Sequence, residues 1–317
     1  MTVAMWLAMA ILAVPIVLTL TASGCGGLLP TDELVDTPPE RKPPVSKDPR
    51  ARLGEMPTQL PPPQPGPTPP PTYREVLTAT PGLLGYWRLG EQQSVLATQT
   101  PIAVNAVGMG ALDGNYVNPN GIVLGLSGAL VNDTDTAARF LGSGGCVQVP
   151  AQTALAPDEV TIELWMKLDA AAADTRVLAG CYQADFADNV VRGYRLRTRT
   201  VTEAGVLKIE FEGAFGGMAT PLQVKVPLGQ PPKWHHAVLT YHKAPLGQET
   251  AYLYVDTIVS SVQRKCELVP APAQPLRFAA NAGFFPTSYQ VSLDEVALYG
   301  QWMPQSTVEN HYKVATT

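Results

Sequence analysis

The chain has 317 residues, a formal net charge of −5 and only 15% charged side chains. Its 27 glycines and 31 prolines suit many short strands joined by turns better than long helices. No block of Lys and Arg stands out, which argues against a nucleic-acid partner, because phosphate neutralisation requires a basic footprint. The one short basic stripe is Arg195, Arg197 and Arg199, whose spacing of two puts all three on one face of a strand. A solvated sheet face is the first reading of that stripe and an anionic-ligand platform the second.

Residues 1–24 are apolar. From Val3 to Leu20 only Pro15 and Thr19 interrupt the run, and no charged side chain occurs before Asp32. A secretory signal has a basic start, an apolar centre and a small-residue cleavage site; the last two are present. The segment Ala22-Ser23-Gly24-Cys25-Gly26-Gly27 resembles a bacterial lipobox, although Ala22 stands where Leu is usual. The resemblance implies cleavage before Cys25 and acylation of it. An uncleaved anchor of about 18 residues, just long enough to span a bilayer, and plain secretion are the alternatives. All three export the remainder, and Gly26, where Asp would signal inner-membrane retention, points to an outer membrane or cell surface. With Cys25 lipidated, Cys146, Cys181 and Cys266 remain, so at most one disulfide can form within the chain.

Residues 25–72 read as a stalk. Fourteen prolines fall between 38 and 71, a composition with no backbone ladder to donate and too little apolar area to offset ordering. As an extended polyproline spacer at about 3.1 Å per residue, residues 26–71 could hold the next domain up to roughly 140 Å from a membrane.

Residues 73–317 carry the folded domain. In Val160–Leu168 every even position is apolar, which predicts a core-facing row with Glu163, Trp165 and Lys167 on the other face. Further strands are predicted at Leu83–Leu89, Ala137–Phe140, Cys146–Val149, Arg176–Tyr182, Gly193–Thr200, Val206–Phe211, Leu222–Val226, Trp234–His242, Ala251–Val255, Leu276–Ala279 and Gln290–Tyr299. Clusters of Gly, Pro, Asn and Asp separate them, as turns require. One helix is expected after Pro304, capped by Ser306 with Glu309 as its capping-box partner, ending near Val314.

Several of these segments are similar to those of laminin-G-like, concanavalin A-like jelly-roll domains. Pro81–Glu91 resembles the opening strand, Thr161–Met166 the Glu-x-Trp strand, Lys233–Tyr241 the Trp-x-His strand, Ala251–Asp256 the strand before the hairpin, and Leu293–Tyr299 the closing strand. Together they cover about residues 80–315 in the right order. The resemblance implies an all-β, two-sheet antiparallel β-sandwich (jelly roll) with a short C-terminal helix. The fold hosts lectins, adhesive modules and glycan-cleaving enzymes alike. Two departures are visible: Asp256 is followed by Thr257 rather than the usual Gly, and Asn105 stands where the family's opening loop carries an Asp.

Candidate chemistry is sparse. Glycan-cleaving relatives need two carboxylates about 5–9.5 Å apart across the sugar, and their Glu-x-Asp-x-x-Glu strand is missing. Asp294 and Glu295 are adjacent and so should point to opposite faces, while Glu163 stands alone beside Trp165. His235 and His236 should also face opposite ways, leaving them no shared metal. No catalytic residues are expected. Calcium is the ion the sequence best provides for: Glu91 and Asp294, with Asn105 nearby, could form an oxygen cage. An ion pair of Arg88 with Asp294 or Glu295 is the preferred alternative. A sugar platform would draw on Trp165, Tyr182, Tyr194 and Trp302 with Arg195 and Arg197, whereas Trp87 and Trp234 belong to the core. The expected function is an exported, membrane-tethered, non-catalytic module that binds glycan or a cell-surface protein. A structural envelope protein comes second and a glycan-cleaving enzyme third.

Overall fold

The computed structural model describes residues 69–317 except 94–100, 109, 143, 169–174, 186–188, 219, 245–247, 264–267 and 281–289. The apolar N-terminus, Cys25, most of the stalk and Cys266 lie outside the described residues, and residues 67–317 form one compact unit.

Sixteen strands are described: β1 (Leu83–Trp87), β2 (Ile102–Ala103), β3 (Gly114–Val117), β4 (Ile122–Ser127), β5 (Thr136–Phe140), β6 (Cys146–Val149), β7 (Val160–Leu168), β8 (Arg176–Ala184), β9 (Val190–Glu203), β10 (Val206–Phe215), β11 (Leu222–Pro227), β12 (Trp234–His242), β13 (Thr250–Val255), β14 (Ile258–Gln263), β15 (Leu276–Phe278) and β16 (Val291–Tyr299). They form two antiparallel sheets. The first runs β14-β13-β12-β7-β16-β5-β4 with β1 also on β16, and the second runs β11-β10-β9-β8-β15-β6-β3-β2. This is the expected two-sheet sandwich. Alternation places it correctly: Val160, Ile162, Leu164, Met166 and Leu168 enter the core between the sheets, facing residues such as Leu196, Ile209 and Phe211 of the second sheet. Terminal strands pair as the resemblance implied, with Leu83 opposite Tyr299 and Trp87 opposite Val296.

Four strands are additions to the sequence reading: β2, β3, β4 and β14. The hairpin between β13 and β14 turns on Asp256-Thr257, with Val255 opposite Ile258. Asp256 itself takes a φ of +53°, and its carboxylate accepts from the His236 N–H at 3.0 Å and lies 2.9 Å from His235 Nδ1. That local bonding replaces the usual glycine, because an Asp side chain tolerates the left-handed region better than most.

A second helix corrects the expectation of one. Helix α1 (Tyr73–Ala79) opens on a capping box in which the Thr72 side chain accepts from Glu75 N–H and Glu75 answers Thr72 N–H. It stops before Pro81, which disfavours a helical residue preceding it. The C-terminal helix α2 (Gln305–Thr316) has Pro304 rather than Ser306 at its N-cap and no side-chain cap. Glu309 bonds Gln305 one turn back at 2.7 Å instead of closing a box, and the helix runs past Val314. Proline at the boundary fixes φ without needing a donor, so the hydroxyl cap is dispensable.

Both helices lie against the outer face of the first sheet. There Tyr73, Leu77, Val308 and Ala315 pack with Tyr86, Trp165, Val238, Tyr254 and Tyr299 in a second hydrophobic core. Thr161, Glu163 and Trp165 therefore do point away from the inter-sheet core, yet all are buried.

Candidate functional site

The outer face of the first sheet centres on Glu163, which is not alone. Tyr73 donates its hydroxyl to Glu163 Oε1 at 2.9 Å and Tyr299 donates to Oε2 at 3.2 Å. His236 Nε2 approaches Oε1 at 2.7 Å, and His311 Nδ1 lies 3.0 Å from both oxygens. The protonation states follow from the partners. Thr80 Oγ1 lies 3.0 Å from the Val76 carbonyl oxygen and 2.9 Å from His311 Nε2; with its proton on Val76, it accepts from Nε2. In that arrangement both His311 nitrogens donate and the ring is an imidazolium, in line with its raised pKa. Burial would pull the His311 pKa down, but the Glu163 carboxylate beside it raises it overall. Burial would equally raise Glu163, but the His311 charge and the hydrogen bonds from His236 and His311 hold it below the usual carboxylate range. Glu163, His236 and His311 are all fully buried, and the cluster fastens α1 and α2 to the sheet. A cleft of about 640 Å³ opens between the two helices, lined by Pro71, Glu75, Val76, Ala79, Ser306 and Asn310 among others.

Beside it, Arg88 gathers carboxylates. It pairs with Asp133 at 2.7 Å, Asp135 at 2.8 Å and Glu295 at 3.0 Å, and Tyr86 donates its hydroxyl to Glu295. The preferred ion pair is thus present. Strict alternation fails here: Glu295 takes a φ of +51° and the pairing of β16 with β7 shifts register between Asp294 and Ala297. This β-bulge lets both acids lie buried near Arg88. Asp294 accepts from the Ala129 N–H at 2.7 Å, while its Oδ1 has no partner among the described residues. Burial pushes its carboxyl up to about 8, Ala129 pulling down and Asp135 pushing further up.

Two of the calcium candidates, Glu91 and Asn105, are engaged by protein donors. Glu91 accepts from Val104 N–H and Tyr116 hydroxyl at 2.8 and 2.7 Å, and the Asn105 amide oxygen accepts from Tyr86 N–H at 2.9 Å. Among the described residues no three His, Cys, Asp or Glu side chains are placed to hold a metal ion. Cys146 and Cys181 are free thiols.

Of the platform candidates, two are corrected. Trp165 is buried beneath α2, stacked on Tyr312 at 6.0 Å and 5.0 Å from the His236 ring. Tyr194 lies in the inter-sheet core, where its hydroxyl donates to the Leu155 carbonyl at 3.0 Å. Trp302 is half-buried against His242 at 4.7 Å, away from the others. Trp87 is core as expected, whereas Trp234 is half-buried under the Lys167 ammonium at 4.8 Å.

The remaining three, Tyr182, Arg195 and Arg197, do come together on the outer face of the second sheet. The Arg195 guanidinium sits over the Tyr182 ring at 5.2 Å. Cross-strand register places Gly180 opposite Arg195 on one side and Arg277 on the other. A Cβ at Gly180 would meet the Tyr182 ring at 3.0 Å and the Tyr194 carbonyl oxygen at 2.7 Å, so the Tyr182 ring lies close beside the glycine. Gln148 accepts from Arg277 Nε at 3.3 Å. Toward the sheet edge Arg197 pairs with Glu212 at 2.6 Å, Arg199 with Glu210 at 2.6 Å, and Lys225 reaches Glu210 at 3.6 Å. Arg195, Glu210 and Glu212 are buried. Arg277, Gln148 and the Glu210/Glu212 pair escaped the sequence reading. The alternation Glu210-Phe211-Glu212 was visible, but the placement of β15 between β6 and β8 was not. With a guanidinium at 2.6 Å from each, Glu210 and Glu212 balance charge across strands.

Two antiparallel sheets, one outer face closed by helices and the other carrying an aromatic, guanidinium and amide groups, define a jelly-roll module. The chain belongs to the concanavalin A-like lectin/glucanases superfamily, whose family profile matches residues 141–309, more than half of its length. No curated protein matches it in sequence. Among solved structures it is similar to a Trypanosoma rangeli sialidase (15% identity, TM-score 0.48, covering 74% of this chain and 33% of that one). It is also similar to the botulinum neurotoxin type G receptor binding domain (10%, 0.47, 74% and 51%). A third is the botulinum neurotoxin serotype D ligand binding domain in complex with N-acetylneuraminic acid (10%, 0.46, 73% and 50%). The chain thus spans a third to a half of the length of these structures.

Proposed function

We infer that this chain is an exported, membrane-tethered, non-catalytic module that binds glycan through the outer face of its second sheet. The observation that carries this reading is the assembly of Tyr182, Gly180, Arg195, Arg277 and Gln148 on one face. A half-buried ring edged by fixed hydrogen-bonding groups is what a pyranose needs, apolar on its face and polar on its rim. The family hosts both lectins and glucanases, and the buried state of Glu163 and the ion-paired state of Glu210 and Glu212 favour binding over hydrolysis. Tethering rests on the lipobox-like segment ending at Cys25 and on the proline-rich stretch that follows.

The test is a glycan-array screen of the full chain in detergent, with and without chelator, alongside Tyr182→Ala. Binding that survives chelation and falls with the variant is expected; a screen with no saccharide bound removes the reading. For tethering, labelled palmitate should enter the wild type and not Cys25→Ala. A scaffolding role is favoured by one observation: Ile258 and Val259 stand 46% and 45% exposed on β14, the edge strand of the first sheet, and concentration-dependent self-association would support it.

A further inference from the structure

The outer face of the second sheet is basic in a chain that is acidic overall. Among the described residues, its strands present Arg195, Arg197, Arg199, Lys208, Lys225 and Arg277 against Glu203, Glu210 and Glu212, six cations to three carboxylates. The whole chain carries −5. The excess is not spread evenly. Glu210, Glu212 and Glu203 all engage the β9–β11 cations, with Lys208 and Lys225 both on Glu203 at 2.6 and 3.3 Å. Arg277, on β15, pairs with no carboxylate among the described residues; its Nε donates to Gln148 at 3.3 Å.

Arg277 is half-buried and stands next to a position with no side chain. Gly180 separates it from Arg195, two strand spacings away, or about 10 Å. The notch between them is bordered by the Tyr182 ring. A guanidinium without a carboxylate partner, across a glycine from an aromatic ring, suits an anionic group on a sugar, since guanidinium can bind carboxylate or sulfate oxygens through two parallel N–H···O bonds.

Resting on the glycan-binding reading above, we propose that this face takes an acidic saccharide chain, with Arg277 anchoring its carboxylate or sulfate and the Tyr182 ring carrying the adjoining sugar. Arg197, Arg199 and Lys225, each already paired with a glutamate, flank the site across β9 to β11 and leave Arg277 as its anchor.

The test is direct titration of the full chain with polygalacturonate, heparin, neutral dextran and polyglutamate. An acidic polysaccharide should bind and dextran should not, with affinity falling as salt rises. Polygalacturonate and heparin distinguish carboxylate from sulfate. Arg277→Ala should weaken binding about tenfold or more, the range of a charge-assisted hydrogen bond. Arg277→Lys should restore only part of it, because the fork is lost, and also guards against a folding defect in the alanine variant. Lys243→Ala, an exposed cation paired with Asp158 at the end of β12, should change nothing. Neutral saccharides bound as tightly as acidic ones would overturn this proposal while leaving the glycan reading intact, and absence of any saccharide binding would remove both. Polyglutamate binding equal to that of the polysaccharides would show that charge alone is recognised, which also overturns it.

Discussion

Replacing Glu163 tests whether a single carboxylate holds both helices to the first sheet. In Glu163→Gln the imidazolium of His311 loses its counter-charge, and two tyrosine hydroxyls and His236 lose an ionic acceptor, all in a fully buried site. Breaking one side of a buried ion pair costs about 3–5 kcal/mol. For a domain of this size each kcal/mol moves the midpoint by about 2–4 °C, so Tm should fall by about 6–20 °C. The pH profile is the sharper readout. Glu163 has a lowered folded pKa, so its contribution is present above the unfolded value of about 4.3 and is lost as pH falls through the folded one. His311 has a raised folded pKa, so its contribution is present below about 6.5 and is lost as pH rises through the folded one. Both act together between about pH 4.3 and 6.5, and the variant should lose that pH dependence. Urea melts followed by tryptophan fluorescence suit the purpose, since Trp165 lies within 6.0 Å of both Tyr312 and His236. A Glu163→Gln protein within about 1 kcal/mol of wild type, with an unchanged pH profile, would refute the reasoning; so large a network cannot be worth less than one ordinary hydrogen bond.

Other expectations follow the same logic. Tyr73→Phe removes one donor to Glu163 and should cost about 1.5–3 kcal/mol, readable as a lower urea midpoint with an unchanged slope. Asp294→Asn should stabilise the protein at pH 7–8. With a folded pKa near 8 against about 3.9 unfolded, wild type loses stability as pH rises through that window, on the order of a few kcal/mol. A variant less stable than wild type at pH 8 would show Asp294 to be ionised and useful. Gly193→Ala should cost at least about 2 kcal/mol, because φ there is +82° and a Cβ would sit 1.9 Å from the Cys181 carbonyl oxygen; equilibrium unfolding checks it.

How much of this was legible before folding divides along a physical line. The alternation in Val160–Leu168 and Trp234–His242 fixed which residues enter the inter-sheet core, because a strand has only two faces and burial chooses one. Even the opposite orientations of His235 and His236 follow: the first contacts Phe211 across the core and the second reaches Glu163. The capping box at Thr72 and Glu75 was equally present in the sequence, hidden by the prolines around it. What alternation cannot say is what covers the outward face. Trp165 and Glu163 looked like surface residues because nothing local announces that a helix at the far end of the chain will lie on them. The β-bulge at Asp294 and Glu295 likewise breaks the two-residue period in a way that only its partner strands impose. The binding face is the same case. Tyr182, Arg195 and Arg197 were in view, yet Arg277 joins them only because β15 pairs between β6 and β8. Sequence determined each strand's two sides; strand order, a long-range property, decided which sides became a site.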